Sequence, residues 1–348
     1  MEIKSLNPIK VGIVGLGRAG WSLHVEALRG REDFRIVDVA DPNGDRRKEA
    51  SVELGCQVHT TIDELLSATE AEVVVVATPS ITHETDGLKV LQSGRHCIQE
   101  KPMATSYQGA LRLVEAARKA DRKLFVHHQR RFSDECQFLR EIIDLGVLGR
   151  VFEIKLAWSG FARRNDWQTL KKNGGGNLNN TGPHIVDMGL NLADGPVEAL
   201  LADVRHVKDA GDVDDHAHLF MKTRGGQTID LLVTTCRALA GPRTVILGSQ
   251  GTLQAMDDKT ATLKFFDAGK LPPLEVIDGL APGRKYGNDE VLPWQIEERP
   301  MKPTKPGGGF HDNVRSVLRD GGSTVVSPES AAEVLRVIEW AYREGAPI

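Results

Sequence analysis

A glycine-rich motif between an apolar strand and an amphipathic helix constrains the fold most strongly. The strand residues 10–14 run into GLGRAG at residues 15–20, which has the spacing G-x-G-x-x-G. In such a turn the first glycine permits the tight bend, the second lets the backbone approach a pyrophosphate, and the third lets the helix pack on the strand. The helix N-terminus would present free N–H groups to the phosphates. We therefore expect a dinucleotide site that includes Gly15, Gly17, Arg18, Ala19 and Gly20, the alternative being a tight turn in an unrelated α/β fold.

The first part of the chain alternates short apolar runs with amphipathic stretches. Apolar runs occur at residues 11–14, 36–40, 73–77, 97–98 and 124–126, and helical patterns lie between them. Continuous apolar strands separated by helices are typical of a parallel sheet covered on both faces. We predict an N-terminal Rossmann domain over residues 1–129, with a doubly wound parallel sheet.

The pattern changes after Gln129. Helices are predicted near residues 133–145, 310–319 and 328–344, and a Gly-rich turn followed by a helix over residues 174–193. Strands follow one another between residues 151 and 266 with tight turns. This order predicts a C-terminal α+β domain, residues 130–348, with a large, mostly antiparallel open sheet. Residues 268–309, which include Tyr286 and Trp294, are rich in Pro and Gly and are predicted to be irregular, either as a functional arm or as a surface loop.

Composition excludes some classes of protein. The formal net charge of −4 argues against a nucleic-acid partner, which would favour a basic excess. No stretch reaches the ~20 apolar residues of a membrane span. The first residues carry no signal-peptide pattern, and four scattered cysteines have neither metal nor disulfide spacing, so we expect a cytoplasmic protein.

An open sheet leaves a face that partners usually cover, so we also expect a homodimer or homotetramer.

The end of the second predicted strand bears on cofactor choice. Asp41 stands where an acid accepts the hydroxyls of the adenosine ribose and would repel a 2′-phosphate. We therefore expect NAD, with NADP less favoured. Arg46 and Arg47 follow closely, and arginine can accommodate that phosphate. We interpret both as solvated helix charges.

Three further motifs are more specific than the glycines. They are Thr78-Pro79 with His83, then Glu100-Lys101-Pro102, and finally Gly174–Gly176 followed by Gly182-Pro183-His184 and Asp187. In this order they resemble the Gfo/Idh/MocA family of oxidoreductases over nearly the whole chain. The resemblance implies a Rossmann domain followed by a mixed α/β domain, with the active site between them. It further implies that Lys101 and His184 are catalytic, that Glu100 and Pro102 help place the nicotinamide ribose, and that Thr78, Pro79 and His83 line the cofactor channel.

The sequence departs from the family pattern at Asn180, where many relatives have Asp. Asn180 lies four residues before His184, so on a helix the two would share a face and could reach one substrate. Asn can exchange hydrogen bonds but cannot take a proton. The departure leaves a Lys–His pair. His184 is then expected to act as general base and Lys101 to polarise the reacting oxygen.

Other residues are weaker candidates for the substrate site. Asp187 would orient His184, bind a hydroxyl or lie on the helix surface. Gln129 and Arg130 follow the sixth strand, whose carboxyl end should face the ligand crevice. Arg164 and Trp167 could wall a sugar site. Asp214, Asp215, His216 and His218 suggest zinc but lack further ligands at useful spacing, so no metal is expected.

These observations favour an NAD-dependent oxidoreductase that transfers a hydride between nicotinamide and a hydroxyl-bearing carbon of a sugar, polyol or glycoside. One alternative is a glycoside-processing enzyme that uses transient oxidation by tightly bound NAD. A second is a non-catalytic protein that senses NAD or a ligand. Fold alone does not choose among them.

Overall fold

The computed structural model describes residues 7–208, 210–276, 278–279, 290–305 and 307–345. Its first sheet has six parallel strands in the order β3-β2-β1-β4-β5-β6. The strands are β1 (Ile9–Val14), β2 (Phe34–Ala40), β3 (Gln57–His59), β4 (Val73–Val76), β5 (His96–Gln99) and β6 (Leu124–Val126). The order reverses between β1 and β4, which is where doubly wound sheets bind ligands.

Helices cover both faces of this sheet. The first runs from Ala19 with π geometry through Val25 and continues as α1 (Glu26–Leu28). It is followed by α2 (Gly44–Leu54), α3 (Ile62–Ala68), α4 (His83–Gln92) and α5 (Tyr107–Ala120). Side chains that accept from backbone N–H groups start several of them, for example Asn43 at α2 and Ser106 at α5.

The second sheet has eight strands in the order β14-β13-β12-β11-β7-β10-β9-β8. The strands are β7 (Val151–Ser159), β8 (Val197–Arg205), β9 (His216–Thr223), β10 (Thr228–Thr234), β11 (Thr244–Gly248), β12 (Gly251–Ala255), β13 (Thr260–Phe265) and β14 (Gln295–Pro300). Only the β7–β10 pair is parallel among these described strands. The predicted fold class, a Rossmann domain with a second, mostly antiparallel sheet, is therefore confirmed.

One face of the second sheet is buried against helices. In β9, Ala217, Leu219 and Met221 are buried, whereas Phe220 on the opposite face is 48% exposed. The associated helices are α6 (Asp134–Asp144), α7 (Asn177–Asn180), α8 (Gly182–Leu192), α9 (Phe310–Arg319) and α10 (Pro328–Glu344). Where a Gly-rich turn and one helix were predicted over residues 174–193, the turn is followed by two helices, α7 and α8, joined at Thr181.

The end of the chain returns to the first sheet. Phe310, Val314 and Val317 of α9 share a core with Ile9 and Val11 of β1. Helix α10 packs on α5 and β6 as well as on β8 and α8. The division at residues 129 and 130 stays a prediction, since these two helices bind the N-terminal half to the C-terminal half.

The prediction that residues 268–309 are irregular is wrong for β14, which pairs with β13 at the sheet edge. Trp294 lies just before this strand and packs edge-on against Phe266, with ring centroids 5.2 Å apart. Tyr286 lies outside the described residues. Within the described part of the chain, no helix combines the length and apolar character needed to cross a membrane.

Candidate active site

Two positions in the turn at residues 15–20 require glycine. Gly15 adopts a φ of +91°, and a Cβ there would lie 2.5 Å from the Ala77 carbonyl oxygen. A Cβ on Gly20 would lie 1.8 Å from the carbonyl oxygen of Gly15. At Gly17 the nearest atom to a Cβ would be Arg46 Nη1 at 4.0 Å, so space is open there. This combination fits a dinucleotide, because the turn is tight where it must be and open where a pyrophosphate would approach.

Asp41 is 3% exposed and holds the same turn. One carboxylate oxygen accepts from Leu16 N at 2.7 Å and the other from Asn43 N at 2.8 Å. Arg46 Nη1 lies 3.4 Å from Asp41 Oδ2, and Arg47 donates to the Asp41 backbone oxygen at 2.6 Å. The expectation that both arginines are only solvated helix charges is therefore not met. They flank the position predicted for the adenosine ribose.

Glu100 lies in a buried network beneath Lys101. Its Oε1 is 3.0 Å from His24 Nε2 and 2.5 Å from His127 Nδ1. Its Oε2 accepts from the backbone N–H of Lys101 at 3.1 Å. His311 Nε2 is 3.2 Å from the other ring nitrogen of His24. Burial alone would raise the pKa of Glu100, but His127 and His24 hold it well below its usual value.

This network shows how the carboxylate of Glu100 is held, whereas its predicted part in placing the nicotinamide ribose stays a prediction. The carboxylate is 3% exposed and its oxygens already accept from groups of the protein, so it fixes the backbone at Lys101. His24, Glu100 and His127 place three ligand atoms within 4.8 Å of one another, a spacing compatible with a metal ion. Hydrogen bonds join these atoms directly, which is the simpler account of the cluster. Sequence reasoning missed it because its members come from distant elements.

The Thr78-Pro79 motif and His83 fix the loop on the other side of Lys101. His83 is 2% exposed, and its ring nitrogens lie 2.8 Å from the Thr78 carbonyl oxygen and 2.6 Å from that of Pro102. Thr78 donates its hydroxyl to Asp86 at 2.8 Å. The imidazole therefore joins the end of β4 to the segment after β5. Both ring nitrogens face backbone oxygens, and the predicted place of His83 in the cofactor channel stays a prediction.

The structure brings Lys101, at the end of β5, to the start of the second domain's helices. Lys101 Nζ donates to the backbone oxygen of Asn180 at 3.2 Å. Burial lowers the pKa of Lys101, Glu100 opposes this shift and Arg18 adds to it. The Asn180 side chain donates back to the Gly176 carbonyl oxygen at 2.9 Å. Lys101 thus contacts the backbone of Asn180 across the two halves of the protein, and the predicted contact of the Asn180 side chain with substrate stays a prediction.

His184 lies on α8 near Lys101. Burial lowers its pKa well below the usual value, and the positive charges of Lys101 and Arg130 lower it further. Its Nδ1 is buried without a hydrogen-bond partner among the described residues. A buried imidazole nitrogen without a partner is unusual and marks a position where a water or ligand is expected. At neutral pH the ring is uncharged and able to accept a proton.

Trp158, near the end of β7, forms one wall beside His184. Its ring centroid is 6.1 Å from that of His184. The guanidinium carbons of Arg130 and Arg243 lie 5.1 Å and 4.8 Å from the centre of the indole. Sequence reasoning missed Trp158 and Arg243, because a tryptophan within an apolar strand gives no signal beyond core packing.

The segment after β6 adds further polar groups. His128 Nδ1, Gln129 Oε1 and Trp158 Nε1 are buried and have no hydrogen-bond partner in the described part of the chain. His128 Nδ1 is 3.8 Å from Asp187 Oδ2. Burial lowers the pKa of His128. Several unpartnered polar atoms in one region are consistent with a site that a polar ligand completes.

Asp187 is not placed as the sequence suggested. It is fully buried and receives three hydrogen bonds from Arg131, at 2.6, 3.0 and 3.0 Å. No hydrogen bond joins it to His184 among the described residues. The carboxylate is saturated by the guanidinium, so the predicted contact with substrate does not fit its geometry. It forms a structural ion pair between α8 and the segment after β6.

The remaining candidates lie at the surface or in local caps. Arg164 pairs with Asp166 at 2.8 Å, and Trp167 is 52% exposed. Asp214 accepts from Leu178 N and from the Tyr342 hydroxyl, both at 2.7 Å. Asp215 accepts from the N–H groups of Val207 and Lys208, His216 contacts Thr234, and His218 pairs with Asp230. These four possible metal ligands therefore each have a local partner.

The fold and this cleft define an NAD-binding oxidoreductase. The family model for the NAD-binding Rossmann fold of the Gfo/Idh/MocA oxidoreductases matches residues 9–128, and the model of the family's C-terminal domain matches residues 136–254. Together they cover more than half of the sequence. The chain belongs to the Gfo/Idh/MocA family, and the predicted resemblance is confirmed.

The relatives with a known activity are distant in sequence. The NADP-dependent scyllo-inositol 2-dehydrogenase IolW of Bacillus subtilis is 24% identical over 97% of this chain and 94% of its own. The myo-inositol 2-dehydrogenase of Thermotoga maritima is 26% identical over 74% of this chain and 78% of its own. Among solved structures, the WlbA dehydrogenase from Chromobactrium violaceum in complex with NADH and UDP-GlcNAcA has a TM-score of 0.77 at 22% identity, covering 97% of this chain and 94% of that one. This last likeness concerns the fold.

Proposed function

We propose that this protein is an NAD-dependent dehydrogenase that transfers a hydride between nicotinamide and a hydroxyl-bearing carbon of a sugar or polyol. The observation that carries the proposal is the meeting of Lys101 with the start of the helices that bear Asn180 and His184. Two groups able to exchange protons, both with lowered pKa, lie near each other, and Arg18 of the dinucleotide turn is close enough to influence the pKa of Lys101. Inositol dehydrogenases among the relatives support the same class of reaction.

Oxidation of a secondary alcohol removes a hydride from carbon and a proton from oxygen. Bound nicotinamide supplies the hydride acceptor. His184 is uncharged at neutral pH and takes the proton. Lys101, whose position is fixed through Glu100, donates a hydrogen bond to the same oxygen and stabilises negative charge on it. In the reverse direction the same pair returns the proton.

The residues of the first domain that would hold the cofactor are those of the glycine turn and Asp41. Asp41 favours NAD, because its buried carboxylate would repel a 2′-phosphate. Arg46 and Arg47 work against this preference, because they already lie at Asp41 and can turn toward a phosphate. Both nucleotides are therefore to be compared directly.

The test is a screen of sugars, polyols and glycosides with NAD and with NADP, followed by the absorbance of reduced nicotinamide. Lys101→Met and His184→Ala should each lower kcat/KM by about 10²–10⁴-fold, the usual contribution of a positioned proton donor or acceptor. Lys119→Met, on the exposed surface of α5, is the matched control and should leave turnover unchanged.

The outcome also separates the alternatives. Turnover that disappears in Lys101→Met establishes the dehydrogenase. Tightly retained nucleotide without net reduction, together with conversion of a glycoside, would instead indicate transient oxidation. Nucleotide binding that is equal in all variants, with no conversion of any compound, would contradict the proposal and leave a sensing protein.

A further inference from the structure

The basic residues around Lys101 and His184 differ in whether a carboxylate pairs with their charge. Arg131 is held by Asp187, and Arg243 is held by Glu135 at 2.7 Å and 3.0 Å. Each buried carboxylate of this region is in turn engaged by a basic group or by His24 and His127. Not every cation of this region has a carboxylate partner among the described residues. Arg130 has neither a carboxylate within ion-pair distance nor a hydrogen-bond acceptor for its guanidinium among the residues that the structure describes.

Arg130 is nevertheless close to the reacting groups. Its guanidinium carbon lies 5.1 Å from the centre of the Trp158 ring, and that ring is 6.1 Å from His184. Its charge reaches His184, since it is one of the causes that lower the pKa of that residue. Arg130 is partly buried, so the charge is not fully solvated. The guanidinium lies within cation–π distance of the indole, and its N–H groups have no acceptor among the described residues.

Lys101 adds a second positive charge without an ion-pair partner among the described residues; its Nζ contacts only a backbone oxygen. Like charges that share a partly desolvated site destabilise each other, and a bound oxidised nicotinamide would add a further positive charge. A neutral sugar would leave this excess uncompensated. An anionic group would accept from the free edge of Arg130, in the geometry that guanidinium groups favour for carboxylate and phosphate.

We propose that Arg130 selects the substrate, and that the substrate is a sugar with a negatively charged substituent, a carboxylate or a phosphate. The reacting hydroxyl lies between His184 and Lys101, and the anionic substituent contacts Arg130 beside Trp158. This inference rests on the proposed dehydrogenase function for the position of the hydroxyl. It names a property of the substrate that the family does not fix.

The experiment measures binding rather than turnover, so that it does not depend on finding the right hydroxyl. The protein loaded with NADH is titrated calorimetrically with matched pairs: glucose and glucuronate, galactose and galacturonate, glucose and glucose 6-phosphate. At least one anionic member should bind at least ~10-fold more tightly than its neutral partner, because a partly buried charge pair contributes on this scale. The uronates and the sugar phosphate distinguish carboxylate from phosphate.

Variants assign the preference to one side chain. Arg130→Gln should remove the preference for the anionic member, and Arg130→Lys should keep part of it because the charge remains but the planar edge is lost. Arg118→Gln, an exposed arginine on α5, removes the same charge far from the cleft and should change nothing. Circular dichroism and NADH binding confirm that each variant is folded.

The proposal is overturned if no anionic member binds more tightly than its neutral partner, or if Arg130→Gln retains the preference. The same experiments separate a missing anion preference from a missing dehydrogenase activity. Turnover of neutral sugars without any anion preference would leave the dehydrogenase intact and refute the role of Arg130. Anion binding through Arg130 without nicotinamide-dependent turnover of any compound would support the role of Arg130 and refute the dehydrogenase.

Discussion

Asp187→Asn distinguishes a structural ion pair from a substrate contact. The Asp187 side chain is fully buried and that of Arg131 is 7% exposed. The substitution keeps the shape of the side chain but leaves the guanidinium without a counter-charge. Removal of one partner of a buried pair costs about 3–5 kcal/mol. For a protein of this size we expect the melting temperature to fall by roughly 4–7 °C.

Differential scanning calorimetry in the absence of ligand measures this change. Asp203→Asn is the matched control, because Asp203 pairs with Arg205 at 2.5 Å on the surface and should contribute under about 1 kcal/mol. The double variant Arg131→Met, Asp187→Leu should recover most of the lost stability, since apolar residues can replace a buried pair. An unchanged melting temperature for Asp187→Asn, with a large rise in KM, would refute the structural assignment and restore the contact predicted from the sequence.

Three further changes test other parts of the molecule. Arg130→Gln removes a positive charge that lowers the pKa of His184, so the acidic limb of the kcat/KM profile for alcohol oxidation should move to higher pH; an unmoved limb would contradict this. Gly20→Ala puts a Cβ 1.8 Å from the Gly15 carbonyl oxygen and should weaken NADH binding more than ~10-fold by fluorescence titration; wild-type affinity would count against the turn. Leu201, 71% exposed on the open sheet, should lie in a subunit interface, so Leu201→Asp should lower the sedimentation coefficient; a wild-type monomer would defeat this expectation.

The regular parts of the fold could be predicted because they depend on local patterns. The helices at Phe310–Arg319 and Pro328–Glu344 begin and end where the sequence indicated. A capping serine, Ser327, and an apolar stripe at helical spacing suffice for the second of these. β14 was missed because charged and exposed residues, such as Glu297 and Glu298, fill an edge strand. Such a strand lacks the apolar alternation on which the prediction relies.

Residues of the candidate site could be predicted where they belong to a recognisable sequence motif. Lys101, Asn180 and His184 were predicted to belong to one site; in the structure Lys101 contacts the Asn180 backbone oxygen and its charge lowers the pKa of the nearby His184. The partners of these residues could not be predicted. Asp187 lies three residues after His184 on one helix but 56 residues from Arg131, its observed partner. Spacing along the helix suggests the first pair, and only the packing of distant segments reveals the second.

The distance between Lys101 and His184 depends on contacts that lie far from the sequence motifs. Lys101 follows β5 of the first sheet, whereas His184 lies on helix α8, so a small rotation between the two halves would separate them. Helix α10 opposes such a rotation, because it packs on α5 and β6 on one side and on β8 and α8 on the other. Glu339 of this helix accepts from the Tyr107 N–H at 2.6 Å, at the start of α5. The spacing of the two proton-exchanging groups is thus set by the last helix of the chain, and changes on its buried face should alter kcat without touching the cleft.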